Sequence, residues 1–397
     1  MKIDIDLLVT GGAGFIGCAL AAGLIDRGAG APPRIVAVDC LHRQVHPNQE
    51  RPAALPSTVE LIEQDVCDAD GWNRLLARFR PRVIVHLAAE TGTGQSLDLP
   101  TSHTHTNVTG TAAMLEALDR NGCHPEHILL ASSRAVYGEG DWLDPETQER
   151  FRPHRRDHAT LRGGRFHFIA PSGQLAEPLR NDYRTTMPEP ASVYGATKLA
   201  QEHVLQAWAA ARPTRLSILR LQNVFGVGQS PYNNYTGIVS LFHRQAADGL
   251  VIDVYEDGLI GRDFISIEDI VQVFLAALGP AVARNRIIDV GTGQPTTILD
   301  AARLIASMYN APPPRISGAF RDGDIRWAVA SIEMLERELN FASQVNFATA
   351  NLKLSHWLHE IGVISRCGSL PPSAVQAGDV KCGVMQAGEQ QIGNQER

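Results

Sequence analysis

Residues 6–17 read DLLVTGGAGFIG. An apolar run ends in three glycines, Gly11, Gly14 and Gly17, at a G-x-x-G-x-x-G spacing, and a helical apolar period runs on from Phe15 to Arg27. The stretch reads as a buried strand passing through a tight turn into a helix. Glycine permits the turn and lets backbone N–H groups approach an anion, to which the helix N-terminus adds partial positive charge.

The same rhythm continues through the first half of the chain. RIVAVD, TVELIEQD, RVIVHLA and HILLASS are short runs rich in Val, Ile and Leu, with helical patterns over Gly71–Phe79 and Thr101–Asn121 between them. A helix over Ser192–Ala211 and the strand LSILRLQNV extend the series. Short, wholly apolar strands separated by helices predict an α/β fold, a doubly wound parallel sheet covered on both faces. The 397 residues leave room for a second, smaller lobe. Beyond Asn223 the alternation loosens and Gly, Pro and Asn become frequent, as in VFGVGQSPYNNYTG. The predicted organisation is residues 1–223 as the sheet domain, 224–365 mainly as a C-terminal lobe closing over a ligand, and 366–397 as a disordered tail. Residues 141–190 break the rhythm with Arg150, Arg152, Arg155, Arg156, Arg162 and Arg165 and little that packs a core. Two readings of them stand, a solvated surface insertion and a lid or phosphate-facing loop.

Composition removes several classes. With 20% charged residues and a formal net charge of -7, the chain lacks the basic excess of a nucleic-acid surface. No stretch approaches about 18 uninterrupted apolar residues and the start lacks a signal-peptide order, so a cytoplasmic protein with no membrane partner is expected. Cys18, Cys40, Cys67, Cys123, Cys367 and Cys382 form no C-x-x-C pair or Cys/His cluster at ligand spacing, which predicts free thiols and no metal.

The second strand ends in Asp39. A carboxylate there accepts hydrogen bonds from the adenosine ribose and repels a 2′-phosphate, so with the glycine turn it points to NAD rather than NADP. Asp65 and Val66 follow the third strand, close to an expected adenine site. Leu87, Ala88 and Ala89 follow the fourth, where small residues permit close approach by a cofactor. In SVYGATK, Tyr194 and Lys198 lie four residues apart and share one helix face. A tyrosine near its ordinary pKa of about 10 is a poor base; bringing it to about 7 takes about 4 kcal/mol, which a neighbouring ammonium and a positive nicotinamide ring can supply. The lysine can also bond the nicotinamide ribose. A non-catalytic scaffold on the same fold has no need of these groups.

Taken in order, TGGAGFIG, HLAAETGTGQS, NVTGT, SSRAVYG, YGATK, LRLQNVFG, GRDFISIEDI and RDGDIRWAVA resemble the extended short-chain dehydrogenase/reductases over residues 5–360, the arginine-rich insertion excluded. The resemblance falls in their branch of NAD-dependent nucleotide-sugar epimerases and dehydratases, nearest to 4-epimerases of the dTDP-L-rhamnose type and more distantly the UDP-glucose type. It implies a Rossmann-type sheet with a substrate-binding lobe, a nucleotide-diphosphate sugar as substrate, and a homodimer paired through Thr101–Asn121 and Ser192–Ala211. Gly11, Gly14, Phe15, Ile16, Gly17, Asp39, Asp65, Val66, Leu87, Ala88, Ala89, Asn107 and Lys198 would bind NAD. Ser133 would hold the sugar O4, Tyr194 would be the acid/base, and Lys198 its activator. Thr91, Ser133, Arg134, Asn223, Arg262 and Arg321 would contact substrate, the last two as arginines on the diphosphate. The alternative for those two is an ordinary surface pair with Asp263 or Asp322. Arg134 and Ala135 stand where related 4,6-dehydratases carry an Asp–Glu pair, so the expected reaction is 4-epimerisation through a 4-keto sugar. A 4-dehydrogenase or 4-keto reductase could use the same triad. Tyr137 is expected to be structural and Ser132 to support the turn.

Overall fold

The computed structural model describes residues 2–27, 32–231, 237–279 and 285–371. In it the first apolar run is an interior strand of a seven-stranded sheet. The strands are β1 (Ile3–Thr10), β2 (Ile35–Asp39), β3 (Glu60–Glu63), β4 (Phe79–His86), β5 (His127–Ser133), β6 (Arg215–Leu221) and β7 (Arg286–Val290). Their spatial order is β3-β2-β1-β4-β5-β6-β7, and every pairing is parallel. Thr10 lies opposite both Val38 and His86, and Ser133 opposite Leu221, so the strands end along one edge. Strand order reverses between β1 and β4, the point at which an open α/β sheet forms a ligand crevice.

The apolar runs do not alternate with polar residues because both faces are covered. Val9, Val85 and Leu129 point to one face, where α1 (Phe15–Asp26) and a later helix, Ile267–Ala277, supply Leu20, Ala21, Ile270 and Phe274. Their neighbours Leu8, Ile84 and Ile128 point to the other, against Trp72, Leu76, Met114, Leu118 and Leu205. Those come from α2 (Ala69–Arg78), α3 (Gly110–Arg120) and α4 (Val193–Ala210). The helix expected over Thr101–Asn121 changes winding on the way: Pro100–Thr104 is α, His105–Thr109 is a π turn, and α3 follows.

Three expectations about organisation need correcting. The helix Ile267–Ala277 and strand β7 lie beyond residue 223 yet belong to the sheet domain, so the chain crosses back after building part of the lobe. The lobe has its own core around Phe225, Phe242, Ile260, Ile305, Leu354 and Leu358. The insertion is not devoid of packing: Trp142, Leu161, Phe168 and Ala170 are buried, and its two-residue strands form a small antiparallel sheet. Among its arginines, Arg150 and Arg152 pair with the buried carboxylate of Asp141 at 3.5 and 2.6 Å, and Arg156 with those of Glu139 and Glu256. Residues 366–371, assigned to the tail, are packed: Arg366 donates to the carbonyls of Ala246 and Ala247, and Gly368 N–H to Ser355 Oγ. The rest of the expected tail lies outside the described residues. The five described cysteines are free thiols, and among the described residues no helix is long and apolar enough to cross a membrane.

Candidate active site

A cavity of about 1310 Å³ opens at the C-terminal edge of the sheet and reaches into the lobe. Gly11, Gly14, Phe15, Ile16 and Gly17 line it at the end of β1. Gly11 has φ +65°, and a Cβ there would lie 2.8 Å from the backbone nitrogen of Ala88. At Gly17 a Cβ would meet the carbonyl oxygens of Gly12 and Gly11 at 2.6 and 2.7 Å. The start of α1 has no side-chain cap and no acidic residue in its first turn, so its N–H groups face the cavity as a positive terminus. Asp39 shapes this cradle: Oδ2 accepts from Ala13 N–H and Oδ1 from Leu41 N–H, both at 3.0 Å. These residues suit a nicotinamide dinucleotide: the uncapped helix start would hold its pyrophosphate and Asp39 its ribose.

Leu87, Ala89 and Thr91 also line the cavity. The other expected cofactor residues stand behind it. Ala88 N–H donates to Thr10 Oγ1 at 3.2 Å. Val66 is a core residue whose carbonyl accepts from the Trp72 indole, and Asp65 turns back to Cys67 N–H. Asn107 is fully buried on the π turn; it accepts from Glu90 N–H and donates to Glu90 O and Thr197 Oγ1. Through these bonds Asn107 ties Glu90, between the cavity-lining Ala89 and Thr91, to Thr197 of α4.

Ser133, Arg134, Tyr194 and Lys198 converge on the cavity from β5 and the first turns of α4, which Ser192 caps by accepting from Gly195 N–H. Ser133 Oγ accepts from Ala135 N–H at 3.1 Å, which fixes the hydroxyl at the strand end. Burial raises the Tyr194 pKa above the ordinary phenol value, opposed by a hydrogen bond with Ser133 and the charge of Arg134. Lys198 is buried at the same cavity, one helical turn beyond Tyr194 on α4. Its ammonium turns one helical turn on to Gln201 Oε1, and burial pulls its pKa down to about 7, with Glu202 opposing. The Arg134 charge also bears on Tyr194.

Sequence reasoning missed the network behind this group. Lys198 fixes the Gln201 amide, so Gln201 Nε2 donates to His86 Nε2 at 2.9 Å and to Thr111 Oγ1 at 2.8 Å. His86 Nε2 is thereby the acceptor and Nδ1–H donates to Thr10 Oγ1 at 2.6 Å, a tautomer assigned by the network. Burial and the Lys198 charge push the His86 pKa down to about 3. Ser132 hydrogen-bonds Glu202, which also takes both arms of Arg220 at 3.0 and 2.7 Å. Tyr137 is wholly buried and donates to Asp289 at 2.6 Å, a structural role.

On the lobe side, Arg134 Nε donates to Asn223 Oδ1 at 2.8 Å, and both line the cavity with Arg262 and Arg321. Arg262 is nearly buried and pairs with Asp324 at 2.6 Å, not with Asp263. The Asp263 carboxylate is already held by the N–H groups of Thr292, Gly293 and Ala330. Arg321 lies over the Tyr255 ring, 5.3 Å from its centroid, while Asp322 pairs with His158. Neither arginine makes the surface pair that was the alternative reading. Arg134 has its pKa pulled down to about 9, first by burial and then by Arg262.

Residues 7–291 match the NAD dependent epimerase/dehydratase family. The chain belongs to that family. Among curated relatives, the dTDP-L-rhamnose 4-epimerase of Burkholderia thailandensis is 48% identical over 352 residues, covering 89% of this chain and 94% of the relative. The UDP-glucose 4-epimerase of Mycolicibacterium smegmatis is 31% identical, covering 80% and 87%. The crystal structure of Thermus thermophilus UDP-glucose 4-epimerase in complex with NAD superposes with a TM-score of 0.70 at 25% identity, covering 91% of this chain and all of that one. Membership of an NAD-dependent epimerase family agrees with the glycine cradle and Asp39 at its rim.

Proposed function

We propose that this chain is an NAD-dependent nucleotide-sugar 4-epimerase that inverts C4 through a transient 4-keto sugar. The observation that carries the reading is the meeting of the Ser133 and Tyr194 hydroxyls in one cavity, between the glycine cradle and the arginines of the lobe. Tyr194 as phenolate takes the O4 proton as C4 is oxidised and returns it when C4 is reduced from the opposite face. Bound NAD supplies the hydride acceptor and donor for C4. Ser133 holds O4 in both directions, and Arg134 favours the phenolate electrostatically. Asn223, Arg262 and Arg321 take the diphosphate, for which a planar guanidinium offers a matched pair of donors. The sheet domain thus serves NAD and the lobe serves the nucleotide sugar. Position 134 is a guanidinium bonded to Asn223 and position 135 an alanine, so the site has no acid/base pair there for removing the C5 proton and expelling the C6 hydroxyl.

The 48% identical relative carries a dTDP-sugar name, so dTDP-sugars head the test. Incubation with a panel of dTDP-, UDP- and GDP-sugars, followed by NMR of the C4 configuration, is expected to give two C4 epimers from at least one substrate. Net oxidised or dehydrated product in place of an epimer pair overturns the reading. A cytoplasmic homodimer built on the Pro100–Arg120 and Val193–Ala210 helices is the expected assembly; sedimentation as a monomer at micromolar concentration counts against it.

A further inference from the structure

The insertion and the far wall of the cavity are joined by charges that neither could bury alone. Arg156 is 6% exposed. It donates from Nε to Glu139 Oε1 at 3.3 Å, from Nη1 to Glu256 Oε2 at 2.8 Å, and from Nη2 to the carbonyl of Asp324 at 3.0 Å. The second oxygen of Glu139 accepts the backbone N–H of Arg326 at 2.7 Å. Arg326 shares Glu256 Oε2 at 3.0 Å and spans Asp257 at 2.7 and 2.8 Å. Farther along, Asn181 donates to Val329 O and accepts from Ser331 N–H, both at 2.8 Å. At the near end the His158 ring packs edge-on against Phe320, 5.2 Å between centroids. Residues 320–331 are therefore held at intervals by residues 139–181. Arg321 and Asp324, which line the cavity, lie in the held segment, and Asp324 Oδ1 in turn holds Arg262.

We propose that Arg156 is a positioning residue for the substrate site, clamping Asp324 and through it Arg262, so that the insertion sets how the diphosphate arginines are presented without itself touching substrate. The inference rests on reading Arg262 and Arg321 as diphosphate ligands. Its physical basis is the planar fork of Arg156, which reaches two carboxylates and a backbone carbonyl on three separate segments at once; a lysine ammonium cannot span them. A buried ion pair adds little net stability compared with apolar packing of the same volume, whereas losing one partner leaves a charge stranded. The contribution of the clamp is therefore the alignment of the wall.

Arg156→Met alone leaves Glu139 without a cation, whereas Glu256 keeps Arg326, so it is tested beside Arg156→Met/Glu139→Gln, which removes the stranded charge. The full chain is titrated with dTDP and UDP, its bound NAD is measured, and amide hydrogen exchange is followed by segment. Both variants are expected to keep NAD and the protection of β5 and α4, while residues 320–331 exchange about tenfold faster or more. Affinity for whichever nucleotide the wild type binds falls about tenfold or more, Arg156→Lys lies between, and in turnover KM rises in step while kcat stays within about threefold. Unchanged nucleotide affinity in the double variant overturns the proposal. So does a uniform loss of protection across the chain together with loss of NAD, the mark of a merely structural residue. Wild-type protein that binds neither dTDP nor UDP overturns the diphosphate reading instead, and exchange of 320–331 then decides the clamp.

Discussion

The floor and the wall of the cavity are built in opposite ways. The floor, from Gly11 to Gly17 with Asp39 and the ends of β4 and β5, is built mainly of backbone packed closely together, its N–H groups held by the Ser133 hydroxyl and by one carboxylate, Asp39. The wall, around Arg262, Arg321 and Asp324, depends on buried ions from segments as far apart as Glu139 and Arg326. A floor made of backbone tolerates few side-chain changes because there is no room for them. A wall made of paired charges tolerates none that leaves one partner alone. The two regions should therefore fail differently, and graded substitutions can expose the difference.

The largest effect belongs to the point where floor and wall meet. Tyr194→Phe removes the proton shuttle and leaves the ring in place, so turnover is expected to fall by about 10²- to 10⁴-fold with bound NAD unchanged. Steady-state rates and the absorbance of the bound cofactor check both halves. A variant that keeps wild-type turnover removes Tyr194 from the chemistry and places the acid/base elsewhere.

Acid should loosen the floor next. His86 has a folded pKa of about 3 against an ordinary 6.5, so the unfolded chain binds the extra proton first as pH falls. The stability it contributes is complete above 6.5 and drains away down to about 3, with about 2 kcal/mol gone by pH 5. Urea unfolding at pH 7.5 and pH 5 measures this slope. His86→Gln is expected to be weaker at pH 7.5, through lost bonds to Thr10, Thr111 and Gln201, yet to have its slope between pH 6.5 and 5 reduced by that amount. An unaltered slope shows that other groups carry the acid sensitivity.

The steric argument for the floor gives a smaller, sharper test. Gly17→Ala drives a methyl into two carbonyl oxygens and is expected to cost about 1–3 kcal/mol and to weaken NAD binding. Gly94→Ala meets no atom within 4 Å and should leave thermal unfolding and NAD content as they were. Equal behaviour of the two breaks the claim that the floor is full.

The same contrast explains what was legible in the sequence. The glycine turn, Asp39, the strand ends at Leu87 and Ser133, and the Tyr194–Lys198 spacing are local patterns whose chemistry follows from neighbours a few residues away. The parallel sheet was legible too, because Leu8 beside Val9 and Ile84 beside Val85 serve two covered faces. RIIDV was passed over: five residues inside a loosened pattern do not announce that they rejoin the sheet as β7. Arg156 read as solvated because two of its partners, Glu256 and Asp324, lie about a hundred residues or more beyond it. Lys198 was placed on the right face, but which neighbour its ammonium chooses depends on Gln201, His86 and Thr111 meeting in three dimensions.

The smallest expected effect tests whether burial, and not pairing itself, makes the wall sensitive. Lys353 donates to both oxygens of Glu268 at 2.8 and 2.7 Å, a geometry as good as any in the wall, but the two side chains are 47% and 46% exposed. Water screens that attraction and already solvates each charge, so Lys353→Met is expected to change stability by no more than about 0.5 kcal/mol, an effect that fades as salt is added. Arg156→Met removes a cation of the same sign from carboxylates that water does not reach, and its cost should be severalfold larger and little affected by salt. Denaturant unfolding of the two variants at low and high salt makes the comparison directly. If Lys353→Met costs as much as Arg156→Met, distance alone governs these pairs, and the wall owes nothing to being dry.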